Sequence, residues 1–155
     1  MIIIDDLDAN EIIPGLWVGS KPPKGDFLHK NGYTHVVLCS TDYQLPSKDF
    51  PGVNVIHCPF EDNSNIMGGN TMALVFATAK LVAEAHKAGG KILVTCYAGI
   101  NRSALITALA LRVLGHSAFF AIESIRSNRN KRCLENKVFE RIASGANNST
   151  EFYLG

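Results

Sequence analysis

A cysteine and an arginine stand six residues apart in the segment CYAGINRS, residues 96–103. The apolar run KILVT precedes this segment, and the longer run RSALITALALRVLG begins at its arginine. The first run is typical of a buried strand and the second of a buried helix, so residues 96–102 are predicted to connect the two. Such a loop suits a tetrahedral oxyanion such as phosphate, because a helix start offers free amides and Gly99 permits a tight turn.

The side chains of this segment add chemistry to the predicted anion site. Donors that hold phosphate also stabilise a thiolate at Cys96, and a thiolate can attack phosphorus. Arg102 can hold two phosphate oxygens with its planar guanidinium group. Ser103 places a hydroxyl where it can stabilise the sulfur when water cleaves a phospho-cysteine. The predicted phosphate-binding residues form one stretch: Tyr97, Ala98, Gly99, Ile100, Asn101 and Arg102. The alternative is a buried structural cysteine followed by a surface arginine.

Strands and helices alternate along the chain, which predicts an α/β domain whose sheet is covered by helices. The runs IIPGLWVGS, THVVLCS, VNVIHCPF and KILVT, which are rich in β-branched residues, predict the strands. Helices are predicted over residues 71–90, 102–115, 118–127 and 134–144, with Ser117 as an N-cap.

Two of these helices carry distinct apolar patterns. The helix over 102–115 is apolar nearly all round, which predicts that it lies in the middle of the domain. The helix over 71–90 is expected to bury one face, formed by Leu74, Ala77, Leu81 and Ala85.

The bulk composition limits the classes of function. The chain has 155 residues, 46% of them hydrophobic, and a formal net charge of +1. This favours one domain over residues 1–155, with a core of about 11–144 and a loose tail over 145–155 in which Phe152, Tyr153 and Leu154 could dock. Nucleic-acid partners are not expected at so small a net charge, and the apolar runs are too short to span a membrane.

The four cysteines, at positions 39, 58, 96 and 133, form no CxxC pair and no Cys/His metal pattern. We expect Cys39 and Cys58 to be free buried thiols, and no metal or other cofactor to be required. Free thiols favour a reducing compartment, so a cytoplasmic protein is expected, with the nucleus as a second location.

The motif Cys96-x5-Arg102-Ser103 resembles the signature loop of the cysteine-dependent protein tyrosine phosphatases. Ala98-Gly99 and Asn101 make it most similar to the small, atypical dual specificity branch, and the resemblance covers roughly residues 11–144. It implies a central mixed, mostly parallel sheet flanked by helices. It also implies metal-independent hydrolysis of phosphotyrosine and phosphoserine/threonine in protein substrates through a phospho-cysteine, by a monomer or homodimer.

The resemblance implies an aspartate as proton donor, on a loop that precedes the cysteine in sequence. The segment CPFEDNSNIMGG, residues 58–69, supplies Asp62 at the matching position, with Glu61 as the neighbouring candidate. One position departs from the family pattern, because Thr95 stands where a histidine usually precedes the nucleophile. That histidine is implied to orient the cysteine and favour its thiolate, whereas threonine offers one hydroxyl and no titratable ring.

Other readings of the chain stay open at this point. The substrate could instead be an RNA 5′ phosphate or a phosphoinositide, or the loop could only bind phosphate in a weak or inactive phosphatase. Tyr43 could wall one side of the pocket, and His57 could act as a base or be a packed strand-end histidine. A basic cluster near the C-terminus could be a solvated helix end or could steer phosphorylated partners: Arg126, Arg129, Lys131 and Arg132.

Overall fold

The computed structural model describes residues 7–145, in which five short strands form one sheet. The strands are β1 (Ala9–Ile13), β2 (Leu16–Gly19), β3 (His35–Leu38), β4 (Asn54–His57) and β5 (Ile92–Thr95). Their order in the sheet is β1-β2-β5-β3-β4. The β1–β2 pair is antiparallel and the other three pairs are parallel, which confirms the predicted mixed, mostly parallel sheet.

Five α-helices accompany the sheet over residues 7–145: α1 (Phe27–Lys30), α2 (Gly69–Lys87), α3 (Arg102–Val113), α4 (Ala118–Asn128) and α5 (Lys137–Ser144). A 3₁₀ turn covers Ser47–Asp49. The sequence patterns do not reveal α1 or this turn, because each is only a few residues long. Ser117 caps α4 as predicted, by accepting from the Phe120 amide at 3.1 Å. None of the helices within the described residues is long and apolar enough to cross a membrane.

The two faces of the sheet have different cores, because successive side chains of a strand point to opposite sides. Ile92 and Val94 of β5 join the larger core, which also contains residues of α2, α3, α4 and α5. Leu93 joins a smaller core on the other face, together with Leu28 of α1 and Phe50. The sheet is therefore covered on both faces, and β5 lies in its centre.

Helix α3 lies in the middle of the domain, as its apolar composition predicts. Every residue from Ser103 to Leu111 is buried. The helix packs against β2 and β5 on the sheet side and against α2, α4 and α5 on its other sides. This surrounding core fixes the helix start, where the signature segment ends.

The prediction of which face of α2 is buried is wrong. Leu74 and Leu81 are 37% and 53% exposed, whereas a neighbouring stripe that includes Ala79 and Ala83 is fully buried. Both stripes are apolar, so periodicity alone does not choose between them. The stripe with alanines lets the α2 backbone approach α3 closely, and α2 and α3 are in direct contact.

The parallel register brings several strand ends to one edge of the sheet. Gly19 of β2 and Leu38 of β3 both pair with Thr95 of β5, and His57 of β4 pairs with Leu38. Because these four strands run in the same direction, the segments that follow them emerge together, which is where open α/β sheets bind ligands. Residues 96–101 and 58–68 are thus neighbours at this edge. The predicted tail, with Phe152, Tyr153 and Leu154, lies outside the described residues.

Leu109 of α3 is buried and Leu81 of α2 is exposed, so the same substitution should have a large effect at the first position and a small one at the second. Leu109→Ala should lower the free energy of unfolding by about 2–5 kcal/mol, because it leaves a cavity in the centre of the core. Leu81→Ala is the matched control and should change it by no more than about 0.5 kcal/mol. Urea unfolding of both variants measures the difference. Equal losses would contradict the packing described for α2.

Candidate active site

Cys96 follows β5 directly and is only 3% exposed. Its amide donates to the Gly19 carbonyl at 3.2 Å, which continues the pairing with β2 by one residue. The Gly99 amide donates to the sulfur at 3.3 Å, and the Ser103 hydroxyl lies 3.2 Å from it. The structure therefore brings Cys96, Gly99 and Ser103 together around one sulfur, where the sequence predicts them.

The carbonyls of the loop are held on the side away from this sulfur. Arg129 donates from Nε to the Gly99 carbonyl at 3.1 Å and from Nη2 to the Ala98 carbonyl at 3.0 Å. The Leu134 amide donates to the Ile100 carbonyl at 3.0 Å. In a planar trans peptide the N–H points opposite to the C=O. The amides that follow these carbonyls, those of Gly99, Ile100 and Asn101, therefore point away from Arg129 and Leu134, and the Gly99 amide meets the sulfur, an arrangement that suits an anion.

Arg129 itself is a buried member of the site, with a side chain that is only 6% exposed. Its guanidinium group also pairs with Asp8 at 2.9 Å and donates to the Asn10 side chain at 3.0 Å. The hydrogen bonds from this guanidinium group lower the pKa of the Asp8 carboxyl, so Asp8 is ionised at neutral pH. The expectation of a solvated or steering basic cluster is wrong for Arg129. Nothing in the local sequence indicates its contacts, because its partners lie about thirty and more than a hundred residues away.

The rest of that basic cluster is also largely paired. Arg126 donates to the Cys133 carbonyl at 2.9 Å and to Glu140 at 3.1 Å. Arg132 forms an ion pair with Glu135 at 2.9 Å, which raises the pKa of Arg132 and lowers that of Glu135. These contacts hold the segment between α4 and α5.

Gly99 allows the loop to lie against β2. Its φ is +73°, in the left-handed region that favours glycine. A Cβ built there would lie 2.5 Å from Arg129 Nη2 and 2.8 Å from the Gly19 carbonyl carbon. No larger residue fits without moving the loop away from either the arginine or the strand.

Arg102 occupies the far end of the loop at the start of α3. Its Nη1 donates to the Phe60 carbonyl at 3.2 Å, which fixes the guanidinium group beside the segment after β4. Its Nε is buried and has no hydrogen-bond partner. An unpaired buried donor is costly, and the costs are larger for charged groups. A phosphate oxygen is the kind of acceptor that such a donor fits.

A cavity of about 280 Å³ opens beside Arg102. It is lined by Ser40, Thr41, Asp42, Glu61, Asp62, Tyr97 and Arg102. The cavity thus brings both candidate proton donors next to the predicted phosphate-binding residues. Asp62 additionally accepts a hydrogen bond from Asn101 at 3.2 Å, which connects it to the signature loop.

The aromatic wall of this cavity is Tyr97 rather than Tyr43. Tyr97 is 62% exposed, and the ammonium group of Lys21 lies 4.8 Å from its ring centre. The Tyr43 ring lies 5.4 Å from the same ammonium group, and the Tyr43 hydroxyl donates to the Pro22 carbonyl. The suggestion that Tyr43 walls the pocket is therefore wrong, because Tyr43 is not among the residues that line the cavity.

Thr95, at the position where the family pattern has histidine, bonds within the sheet. Its buried hydroxyl donates to the Val37 carbonyl of β3 at 2.7 Å. A hydroxyl has one proton to donate, so Thr95 does not donate to Cys96. The polar groups that do contact the sulfur are the Gly99 amide in the loop and the Ser103 hydroxyl in α3.

The other three cysteines are buried free thiols, and His57 bonds to a nearby carbonyl. All four cysteines are free and buried, as expected for Cys39 and Cys58. Burial raises the pKa of the Cys133 thiol to about 11 and that of Cys39 well above its ordinary value, so both stay protonated at neutral pH. His57 is exposed at the end of β4 and shares a hydrogen bond with the Leu45 carbonyl at 2.8 Å, so it is held at the surface rather than packed in the core. Among residues 7–145, no three His, Cys, Asp or Glu side chains form a metal-binding group.

Comparison with known proteins matches the chain to one family. Residues 16–143 match the family model of the dual specificity phosphatase catalytic domain. A probable dual specificity protein phosphatase of Dictyostelium discoideum is 33% identical over 100 residues, which are 64% of this chain and 24% of that protein. The chain thus spans about a quarter of the length of this curated relative.

Solved structures share the fold. The crystal structure of human DUSP28 aligns with a TM-score of 0.71 and 26% identity, over 87% of this chain and 89% of that one. The human tyrosine phosphatase-like serine/threonine/tyrosine-interacting protein aligns with a TM-score of 0.71 and 22% identity, over 97% and 100% of the two chains. These likenesses confirm the predicted fold class.

The close packing at Gly99 predicts that Gly99→Ala damages the anion site. The added methyl group must push the loop away from Arg129 and Gly19, so binding of inorganic tungstate should weaken by about tenfold or more. Gly115→Ala is the matched control, because Gly115 also has a positive φ, +102°, but open space around its Cβ position. Both variants should lose some stability, and only Gly99→Ala should lose affinity in calorimetric titration. Unchanged tungstate binding in Gly99→Ala would contradict the described packing.

Proposed function

The chain belongs to the dual specificity phosphatase catalytic-domain family, and from this premise we propose that it hydrolyses phosphotyrosine and phosphoserine/threonine in proteins. The reaction proceeds through a phospho-cysteine at Cys96 within a single catalytic domain, and its steps require no metal. The observation that carries the proposal is the Gly99 amide donating to the Cys96 sulfur, in a loop that ends at Arg102, whose buried Nε has no partner. Together they form a cradle for an anionic phosphoryl group next to a nucleophile.

In the first step the Cys96 thiolate attacks phosphorus. The S–P bond forms as the P–O bond to the substrate breaks, and Asp62 gives its proton to the departing oxygen. Arg102 and the inward amides of Gly99, Ile100 and Asn101 bind the phosphoryl oxygens. Since these donors are already held in place, little reorganisation is needed as charge redistributes.

In the second step water replaces the sulfur. Asp62, now ionised, takes a proton from the water as its oxygen attacks phosphorus, and the S–P bond breaks. The electron pair of that bond returns to Cys96, whose sulfur accepts a hydrogen bond from Ser103 at the observed spacing of 3.2 Å. Inorganic phosphate leaves and the thiolate is restored.

The charge around the cavity favours phosphoproteins over polyanionic substrates. Asp42, Glu61 and Asp62 all line it. Hydrogen bonds from Ser40 and Lys21 lower the pKa of Asp42, so this carboxylate is ionised at neutral pH. A rim of carboxylates repels an RNA 5′ triphosphate or a polyphosphorylated inositol more than a single phosphorylated residue. The partner is accordingly a phosphorylated protein.

The chemistry of the thiolate bears on the cellular location, and the composition of the site bears on the oligomeric state. A nucleophilic thiolate stays active only in a reducing compartment, which favours the cytoplasm, with the nucleus as a second location. A monomer and a homodimer are equally compatible with the site, since each residue named in the mechanism comes from one chain.

A substrate panel tests the proposed nucleophile and substrate class together. The unmodified chain should release phosphate from phosphotyrosine and phosphothreonine peptides, and much more slowly from a triphosphorylated RNA oligomer or a phosphoinositide. Cys96→Ser should lose about a thousandfold or more of this activity, because a serine hydroxyl in that site remains protonated. Cys58→Ser, a buried cysteine outside the site, is the control and should stay active. Faster turnover of the RNA or inositide than of the peptides would reject the proposed substrate class.

Ser103→Ala tests the two-step course. Without the hydroxyl, loss of a hydrogen bond to the departing sulfur should slow phospho-cysteine hydrolysis by about 10–100-fold, with less effect on its formation. Rapid-quench kinetics with an aryl phosphate should then show a burst of phenol equal to the enzyme concentration, and mass spectrometry should find phosphate on Cys96. A slowed reaction with neither burst nor phospho-enzyme would argue against this role for Ser103.

A further inference from the structure

The carboxyl group of Asp62 is held by two side-chain amides. Asn136 Nδ2 donates to Asp62 Oδ1 at 2.8 Å, and Asn101 Nδ2 donates to Asp62 Oδ2 at 3.2 Å. Asn136 Nδ2 also donates to the Asn63 carbonyl at 2.8 Å, so it holds the backbone next to Asp62 as well. One donor comes from the signature loop and the other from the start of α5.

Backbone amides determine how both asparagines are oriented. Asn136 Oδ1 accepts from the Val138 and Phe139 amides at 3.0 and 3.2 Å, as the N-cap of α5. Asn101 Oδ1 accepts from the Asn136 amide at 3.0 Å. Since each Oδ1 is occupied by an N–H donor, each Nδ2 must be the group that faces Asp62.

The chain before α5 adopts an unusual conformation that makes these contacts possible. Leu134 is fully buried and has a φ of +63°, which is rare for a residue with a branched side chain. Such a conformation persists only where the surroundings enforce it. Here the Leu134 amide is bound to the Ile100 carbonyl, and two residues later Asn136 reaches both Asn101 and Asp62. The predicted helix start at residue 134 is therefore wrong, because the chain first turns at Leu134 and α5 begins after the cap.

We propose that Asn101 and Asn136 form a two-amide clamp that positions Asp62 as the proton donor, and that Asn136 is a positioning residue for the reaction. This inference rests on the proposed function. The clamp fixes the plane of the Asp62 carboxyl group at the cavity that Arg102 also lines.

A purely structural role predicts something different. If Asn136 served only as the α5 cap, its replacement by another good cap would leave catalysis unchanged. Serine is such a residue: its hydroxyl can accept from the same helix amides but does not reach Asp62. The backbone amide of residue 136 remains, so the contact to Asn101 is retained. Asn136→Ser therefore separates the cap from the clamp.

The experiment measures kcat for a series of aryl phosphates whose leaving phenols range from strongly to weakly acidic. Asn136→Ser should lower kcat by about tenfold for the weakly acidic phenols and by much less for the most acidic ones, which need little protonation. Asp62→Asn should show the same trend more steeply. Asn130→Ser is the matched control, because its side chain accepts from the Arg132 amide, in the same interhelical segment, and does not touch Asp62. Tungstate affinity should be unchanged in Asn136→Ser.

A double substitution makes the test specific. In the Asp62→Asn background, Asn136→Ser should cause no further loss, because the clamped group is no longer an acid. Equal losses across all phenols, or an undiminished further loss in the double variant, would overturn the clamp. If Asp62→Asn itself lost activity equally for all phenols, the assignment of Asp62 as proton donor would fail, and the clamp with it. A steep trend in Asp62→Asn with none in Asn136→Ser would reject the clamp alone.

Discussion

The proposed reaction depends on keeping a charged sulfur stable in a position that is almost closed to water, because Cys96 is only 3% exposed. Burial of an anion is strongly unfavourable unless fixed donors replace the solvent. At Cys96 the donors are main-chain amides, the Ser103 hydroxyl and the start of α3, and none of these titrates near neutral pH. The proposed thiolate therefore depends on the backbone of six residues keeping one conformation.

That conformation is imposed from outside the loop. Peptide groups turn their amides inward only if their carbonyls find partners on the outer side, and here Arg129 and the Leu134 amide provide them. Arg129 is balanced in turn by ionised Asp8, so its charge does not remain unpaired in a buried position. Gly99 matters for the same reason, because only a residue without a side chain fits between Arg129 and the end of β2. The Thr95 position fits this arrangement, since its hydroxyl strengthens the link between β5 and β3 instead of contacting the sulfur.

Local patterns predicted the parts of the molecule that local physics determines. The β5–loop–α3 unit, the burial of α3 and the grouping of Cys96, Gly99 and Ser103 follow from spacing and hydrophobicity within a short stretch. The failures concern contacts between distant segments. The choice of stripe on α2, the burial of Arg129 and the turn at Leu134 each depend on which surface a residue meets after folding, and no local period encodes it. The family resemblance pointed to Asp62, which lines the cavity, but it carried no information about the amides that hold it.

The segment from Arg129 to Asn136 holds together the two loops that the proposed reaction requires to act on one phosphoryl group. Proton transfer and nucleophilic attack both require atoms placed to within a fraction of an ångström, and loops alone rarely meet that requirement. In this chain Arg129 binds the signature loop, Asn136 binds the loop that carries Asp62, and Leu134 bonds to Ile100 between them. Both ends of the segment are anchored in helices that pack on α3, whose own start carries Arg102. Cys96, Arg102 and the proposed acid Asp62 are therefore all connected to the packed start of α3, either directly or through this segment.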